Sequence, residues 1–99
     1  MPFGLRQNYP NPFNAATIIE YTIGLDDEVV DDQTEVLLEV RNNSGVLVRR
    51  LVQETAFPGI YSVVWDGRDE NGNQAGKGVY YYWLRIGERL ASRKMMILC

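Results

Sequence analysis

Two clusters of acidic residues are the part of this sequence best suited to chemistry. The first lies in the segment GLDDEVVDDQ, which holds Asp26, Asp27, Glu28, Asp31 and Asp32. Calcium prefers hard oxygen ligands of this kind. Two valines interrupt the cluster, however, and the spacing of the acids follows no established ligand pattern. We therefore favour a solvated acidic loop over a calcium site.

The second cluster, Asp66 to Gly72, is similar to the start of the calcium loop D-x-[DN]-x-[DN]-G-x5-E. Aligning Asp69, Asn71 and Gly72 with positions 3, 5 and 6 of that loop puts Gly67 at position 1 and Gly78 at position 12. Those two positions need an Asp and a bidentate Glu, so two principal ligands are missing. The sequence instead predicts a turn around Asn71-Gly72 in a long β-hairpin, whose polar side chains cap their own backbone. No metal site is predicted.

The remaining side chains offer little for catalysis. The chain has no histidine and a single cysteine, Cys99, at its end. His-based nucleophile pairs are therefore ruled out, and no intrachain disulfide can form. Among 13 Asp and Glu residues, no pattern places two across a cleft as glycoside hydrolysis requires. We expect neither enzymatic activity nor a cofactor.

Aromatic residues suggest a different function, a platform on which sugars could stack. Tyr80, Tyr81, Tyr82 and Trp83 are consecutive, but the alternation of a strand puts two rings on each face, and one face has to be core. Packing is therefore the favoured role of these rings. A carbohydrate-binding module would need two or more of Tyr9, Tyr81 and Trp83 to be exposed and coplanar.

The composition describes one small domain over residues 1–99, with residues 1–4 expected to be a remnant of a linker or of cloning. Of the 99 residues, 45% are apolar, which is enough for a single core. The net charge is −3 and the basic residues are scattered, so nucleic acid is not an expected partner. The start lacks the apolar stretch of a secretory signal, and no segment approaches the ~20 apolar residues of a membrane span. Taken alone, the chain would be cytosolic.

Alternation of apolar and polar residues between short turn clusters predicts an all-β fold. The pattern places Ile19, Tyr21 and Ile23 on the inner face of one strand, and it assigns strands to 17–23, 35–41, 46–52, 61–65, 79–86 and 90–98. Turns are expected at 42–45, 56–59, 68–74 and 87–88. This spacing predicts an immunoglobulin-like antiparallel β-sandwich of about seven strands, with a small barrel as the alternative.

The segment QNYPNPFN, residues 7–14, has the composition of neither a helix nor an ordinary strand. Pro10 and Pro12 remove two backbone donors, so the segment should resist joining a sheet. Asn8, Asn11 and Asn14 can close turns through their side chains. The two large rings, Tyr9 and Phe13, are expected to plug the sandwich where the chain enters it.

Motifs at both ends and in the middle of the chain carry a family resemblance. The segments LRQNYPNPFNAATIIEYTI, PGIYSVVWDGRDENGNQAGKGVYYYWLRIG and SRKMMIL resemble the C-terminal sorting domain (type A) of type IX secretion substrates, over about Leu5 to Leu98. The central part also resembles the Ig-like domain of the flagellar hook-capping protein FlgD. The matching motif residues are Asn8, Tyr9, Pro10, Asn11, Pro12, Phe13, Asn14, Trp65, Asp66, Gly67, Asn71, Gly72, Gly78 and Tyr80.

The resemblance implies a transport module at the end of a larger cargo protein. Its partners would be the outer-membrane translocation machinery, a sortase-like peptidase and the upstream cargo domain, and its location would be the exterior or cell surface of a Gram-negative bacterium, reached through the periplasm. A terminal edge strand with unpaired backbone groups could be recognised by strand addition. The residues expected to be recognised are Arg93, Lys94, Met95, Met96, Ile97 and Leu98. Alternatives are an FlgD-like structural spacer and a carbohydrate-binding accessory module, and exposed edges would also allow a homodimer by strand exchange.

Overall fold

A computed structural model describes residues 4–24 and 34–98, and these residues form an all-β domain. The acidic cluster at 26–32 and Cys99 lie outside the described residues. Seven strands follow one another along the chain: β1 (Gly4–Leu5), β2 (Thr17–Ile23), β3 (Thr34–Asn42), β4 (Leu47–Ala56), β5 (Gly59–Trp65), β6 (Gly78–Ile86) and β7 (Arg89–Ile97).

The strands form two antiparallel sheets, with the order β1-β2-β5 in one and β4-β3-β6-β7 in the other. The predicted immunoglobulin-like sandwich is therefore confirmed, and the barrel alternative is wrong. Gly4 pairs with Thr22, so this residue belongs to the first sheet. The assignment of residues 1–4 to a linker or cloning remnant stays a prediction.

The core lies between the two sheets, where the alternating apolar residues point. Ile19, Tyr21 and Ile23 of β2 are buried, as predicted, and so are Val36, Leu38 and Val40 of β3. In β6 the alternation buries Tyr80 and Tyr82 and turns Tyr81 and Trp83 to the outer face. Because the apolar positions recur every second residue, each sheet has one face buried in the core and one face exposed to solvent.

Two tight turns lie where the sequence predicts them. Between β3 and β4, the side-chain oxygen of Asn42 accepts hydrogen bonds from the backbone N–H groups of Ser44 and Val46 at 2.9 and 3.0 Å. Between β6 and β7, Ile86 pairs with Arg89 across the two-residue turn Gly87-Glu88. Both turns therefore join neighbouring strands of the four-stranded sheet.

The predicted long hairpin around Asn71-Gly72 is wrong in its connectivity. β5 belongs to the three-stranded sheet and β6 to the four-stranded one, so residues 66–77 cross from one sheet to the other. Within this crossing a local bridge joins Arg68 to Gln74. The Asn-Gly signal correctly marks a reversal of the chain, but a local turn signal cannot tell which sheet the next strand joins.

Candidate functional site

The two ends of the chain meet along one edge of the four-stranded sheet. We call residues 6–16, between β1 and β2, the lead-in. Phe13 of the lead-in forms a parallel bridge with Ile97 of β7. Its N–H donates to the carbonyl of Met96 at 3.1 Å, and its carbonyl accepts from the N–H of Leu98 at 2.9 Å. The N-terminal and C-terminal motifs of the family resemblance are therefore neighbours in space.

Side chains extend this contact along β7. The N–H of Met96 donates to Oδ1 of Asn11 at 3.1 Å, and Nε2 of Gln7 donates to the carbonyl of Lys94 at 2.7 Å. Nε of Arg93 donates to the carbonyl of Leu5. The expectation that β7 offers a row of unpaired backbone groups is therefore wrong from Lys94 to Leu98. We call this contact between the lead-in and β7 the seam.

Asn8 fastens the inner side of the lead-in. Its backbone N–H donates to the Tyr82 hydroxyl at 2.8 Å, and that hydroxyl donates to the carbonyl of Arg6 at 2.7 Å. The Asn8 side-chain amide donates to Oγ1 of Thr17 and to the carbonyl of Pro10. Burial raises the pKa of Tyr82, although the Asn8 N–H and the Arg93 charge act in the opposite direction. The phenol therefore stays protonated and keeps both of its hydrogen bonds.

The two aromatic rings of the lead-in have different surroundings. The prediction for Phe13 is confirmed: it is 2% exposed, and its ring lies 5.6 Å from that of Trp65 in an edge-to-face arrangement. The prediction for Tyr9 is wrong, because this side chain is 77% exposed. Tyr9 exchanges two backbone hydrogen bonds with Ile18, which holds its ring on the outer face of the three-stranded sheet. The buried polar residue of the segment is Asn8 instead.

The lead-in stays outside the regular strands, as predicted. The peptide bonds before Pro10 and Pro12 are both cis. Its backbone pairing with the strands consists of isolated bridges at Tyr9 and Phe13 and a hydrogen bond from the N–H of Arg6 to the carbonyl of Glu20 at 3.0 Å, among the residues that the structure describes. Asn14 is exposed.

The Trp-Asp-Gly motif closes the core beside Phe13. Nε1 of Trp65 donates to the carbonyl of Arg68 at 2.9 Å, so the buried indole has its polar atom satisfied. Trp65 also contacts the ring of Tyr80, 6.0 Å away, whose hydroxyl donates to the carbonyl of Gly76. Gly67 is buried with φ of 76°, a conformation that favours glycine. These residues make one aromatic cluster from the lead-in, β5 and β6.

Two carboxylates of this crossing accept hydrogen bonds from its own backbone. Oδ1 of Asp66 accepts the N–H of Arg68 at 3.0 Å, and Oδ1 of Asp69 accepts the N–H groups of Asn71 and Asn73. This is the capping role that the sequence predicts. Among residues 4–24 and 34–98 there is no group of three His, Cys, Asp or Glu residues arranged to hold a metal ion.

The predicted recognition residues divide by face. Met95 and Ile97 are 1% and 3% exposed, so their side chains belong to the core. Arg93 lies on the same side of β7 as Met95 and Ile97, where it is exposed and its Nε donates to the carbonyl of Leu5. Lys94, Met96 and Leu98 point to the outer face. A shallow concavity beside them, which we call the notch, is lined by Asn11, Pro12, Lys94, Met95 and Met96. The notch is therefore lined by residues of both end motifs.

The outer face of the four-stranded sheet carries an ion-pair network around Glu39, which the sequence analysis missed. Arg41 and Arg50 contact its carboxylate at 2.8 and 3.0 Å. Burial acts to raise the pKa of Glu39, but the hydrogen bonds and charges of the two arginines outweigh it and lower that pKa. The available signal was the Glu39-x-Arg41 spacing, which puts both side chains on one face of a strand.

Aromatic rings that could contact sugars are split between the two outer faces. Trp83 is 42% exposed beside half-buried Tyr81 on the four-stranded sheet, whereas Tyr9 lies with Ile18 on the other sheet. Tyr9 therefore cannot share a platform with Trp83.

In the described residues no helix is long and apolar enough to cross a membrane.

Two packed antiparallel sheets, closed by an aromatic cluster and a proline-rich lead-in, define an immunoglobulin-like domain. The chain belongs to the FlgD Ig-like domain family, which matches residues 20–85. The matched range covers β3, β4 and β5 completely, together with the Trp-Asp-Gly crossing and β6 up to Arg85, whereas the seam lies outside it.

Solved structures share the fold. The crystal structure of dimeric latent PorU from Porphyromonas gingivalis is similar with a TM-score of 0.72 and 17% identity, over 98% of this chain and 9% of PorU. The sensor domain of the anti-sigma factor RsgI4 in Pseudobacteroides cellulosolvens is similar with a TM-score of 0.55 and 11% identity, over 99% of this chain and 98% of that domain. No curated protein matches the sequence.

Proposed function

We propose that this domain is a non-catalytic sorting module that directs a larger cargo protein to the cell surface through the type IX secretion machinery. The observation that carries the proposal is the seam, where the lead-in and β7 share backbone hydrogen bonds at Phe13, Met96 and Leu98. These are the end motifs by which the sequence resembles sorting domains. Membership of the FlgD Ig-like family also supports a binding or structural role rather than a catalytic one, because Ig-like domains of this kind are non-catalytic modules.

The partner would recognise side chains at the seam rather than add a strand to it. From Lys94 to Leu98, the outward carbonyls of Lys94 and Met96 and the outward N–H groups of Met96 and Leu98 have partners within the chain. Strand addition there would first have to remove the lead-in. The exposed side chains of Lys94, Met96 and Leu98 combine a positive charge with apolar surface beside the notch, a combination suited to a protein partner.

In this function the partners are the outer-membrane translocation machinery, a sortase-like peptidase that acts after transport, and the upstream cargo domain. The cargo would cross the periplasm of a Gram-negative bacterium and finish outside the cell or on its surface. The domain must then fold without a disulfide, and its single cysteine together with its buried two-sheet core agrees with that requirement.

The direct test attaches residues 1–99 to the C-terminus of a reporter that carries a signal peptide, in a bacterium with this secretion route. Protease accessibility on intact cells measures surface delivery. We expect delivery in the parent strain and periplasmic retention in a strain lacking the translocon. Equal delivery of a reporter without residues 1–99, or delivery that persists without the translocon, would contradict the proposal. Truncation at Arg93 is unsuitable, because it also removes Met95 and Ile97 from the core.

The second candidate is a structural spacer, and the match to the FlgD Ig-like family favours it. A spacer would be needed for the assembly or stability of its parent protein but would not depend on the translocon. The strain comparison separates the two candidates, since only a sorting module loses surface delivery when the translocon is removed and the reporter stays folded.

A further inference from the structure

Among the four edge strands of the two sheets, three are protected in ways that discourage pairing with another chain. β1 is two residues long. β7 is covered by the lead-in along the seam, and it also carries Arg89, Arg93 and Lys94. β4 is covered by the crossing in its first half, where the N–H of Glu70 donates to the carbonyl of Val48 at 3.0 Å and a Glu70 carboxylate oxygen accepts the N–H of Arg50 at 2.7 Å, and the strand carries Arg49, Arg50 and Glu54. Short, charged or covered edges are the usual protection against strand addition.

β5 has none of these protections in the described part of the chain. It is seven residues long, pairs on one side with β2, and contains no charged residue and no proline. Ile60 and Val64 are 62% and 60% exposed. A long, uncharged, apolar edge strand is a template for another strand.

The ladder of β2 shows which groups of β5 face outward. Ile18 and Glu20 use their backbone groups toward Tyr9 and Arg6, on the β1 side. The odd-numbered residues of β2 therefore bond to β5, through partners that are also odd-numbered, from Gly59 to Trp65. It follows that the backbone groups of Ile60, Ser62 and Val64 point away from the sheet.

The side chains at this edge continue an apolar row across the sheet. Tyr9 pairs with Ile18, and Ile18 pairs with Val64, so three exposed apolar side chains lie side by side on the outer face. The row ends at the β5 edge. An added strand would extend it and cover apolar surface that otherwise faces water.

We infer that β5 pairs antiparallel with β5 of a second copy of this chain, with Ser62 on the two-fold axis. In this register Ile60 of each copy faces Val64 of the other, and the two Ser62 residues face each other. Each of these pairs can exchange two backbone hydrogen bonds, because all three residues present outward groups. The three-stranded sheets of the two copies would join into one continuous sheet.

Charge is the reason for choosing a second copy as the occupant. A two-fold pairing places a strand opposite a copy of itself. A charged residue near the axis therefore lies close to the same residue of the other copy, and the two like charges repel each other. β5 is uncharged throughout, whereas β4 carries Arg49 and Arg50 and β7 carries Arg93 and Lys94. In the chosen register, each face of the new pair matches apolar with apolar and serine with serine. This pairing uses an edge distinct from the seam and is independent of the proposed secretion role.

Cysteine cross-linking tests both the pairing and its register. In a Cys99→Ser background, Ser62→Cys places two thiols across the axis at a Cα separation of about 5.5 Å, within the range of a disulfide. We expect Ser62→Cys to become mostly disulfide-linked dimer under mild oxidation. Ile60→Cys alone should stay monomeric, while an equimolar mixture of Ile60→Cys and Val64→Cys chains should cross-link. Failure of Ser62→Cys to cross-link, or equal cross-linking of Ile60→Cys alone, would overturn the inference.

Sedimentation of the uncross-linked full chain provides a second measurement. The chain should shift from monomer to dimer as its concentration rises. Ile60→Lys/Val64→Lys, which places lysine opposite lysine, should stay monomeric, whereas Ile60→Lys/Val64→Glu, which places lysine opposite glutamate, should recover the dimer. Both variants should keep the fold, because positions 60 and 64 face outward from the core. Circular dichroism checks this. Equal sedimentation of the two double variants would contradict the register.

Discussion

Phe13 lies beside Ile97 in a parallel bridge that joins the entry of the chain to its last strand. The ring of Phe13 is buried against Trp65, while its backbone bonds to Met96 and Leu98. One residue therefore links the proline-rich lead-in, the Trp-Asp-Gly crossing and the C-terminal strand. This arrangement explains physically why these three motifs occur together in one domain.

Replacing Phe13 should destabilise the domain strongly. Phe13→Ala removes a fully packed ring and leaves a cavity beside Trp65, so we expect a loss of about 3–5 kcal/mol in the free energy of unfolding. Tyr9→Ala is the matched control, since its ring is 77% exposed and its loss should change stability by about 0.5 kcal/mol or less. Urea denaturation measures both. Similar midpoints for the two variants would contradict the assignment of Phe13 to the core.

The Tyr82 hydroxyl should stabilise the lead-in measurably. Tyr82→Phe leaves the buried N–H of Asn8 and the carbonyl of Arg6 without their partner, at a cost of about 1–3 kcal/mol. Tyr81→Phe, on the outer face of the same strand, is the control and should be nearly neutral. Hydrogen exchange at Asn8 gives a local readout, which should speed up in Tyr82→Phe and stay slow in Tyr81→Phe.

The strands were predictable because their signal is local. Alternation gave the correct inward residues of β2 and correctly put two of the four β6 rings on each face, since the side-chain period of a strand depends on the backbone alone. The Asn-Gly turn at 71–72 was also found, but the crossing between sheets was not, because sheet membership depends on packing against distant strands.

The candidate site was less predictable for the same reason. Family motifs marked both ends of the chain, yet nothing local shows that Asn11 bonds to Met96 or that Gln7 bonds to Lys94. The prediction that Tyr9 is buried is wrong, and the burial of Asn8 is not predicted. Two backbone hydrogen bonds to Ile18 fix the outward direction of Tyr9, and a buried phenol, Tyr82, gives Asn8 a polar partner.

The positive φ of Gly67 should make this position intolerant of a side chain. At φ of 76°, Gly67→Ala should lower the free energy of unfolding by about 1–2 kcal/mol through backbone strain. A steric clash adds nothing to this loss, because the added Cβ would lie at an ordinary 3.6 Å from its nearest atom, the Ala15 carbonyl oxygen. Gly76→Ala is the control: nothing lies within 4 Å of its added Cβ. A thermal melt that ranks Gly76→Ala below Gly67→Ala in stability would contradict this account.

Glu39 should make stability depend on pH in the acid range. Its pKa is lowered in the folded state despite burial, because Arg41 and Arg50 favour the carboxylate. The contribution of Glu39 to stability is therefore complete above the pKa of the unfolded state, about 4.3. It is lost as the pH falls through the lower pKa of the folded state. Unfolding measured against pH should show a smaller acid loss in Glu39→Gln than in the unmodified chain. An equal acid loss in Glu39→Gln and in the unmodified chain would contradict this role of Glu39.

Surface delivery of the signal-peptide reporter fused to residues 1–99 tests the central claim most directly, when two outward-facing double variants are compared. Met96→Glu/Leu98→Glu changes exposed side chains of the seam, and Ile60→Lys/Val64→Lys changes exposed side chains of the distant β5 edge. With both variants shown to be folded by their melting temperatures, we predict that the seam variant loses most of its delivery and the β5 variant delivers like the unmodified domain. Undiminished delivery of the seam variant would contradict the claim that the joined ends of the chain are what the secretion machinery recognises.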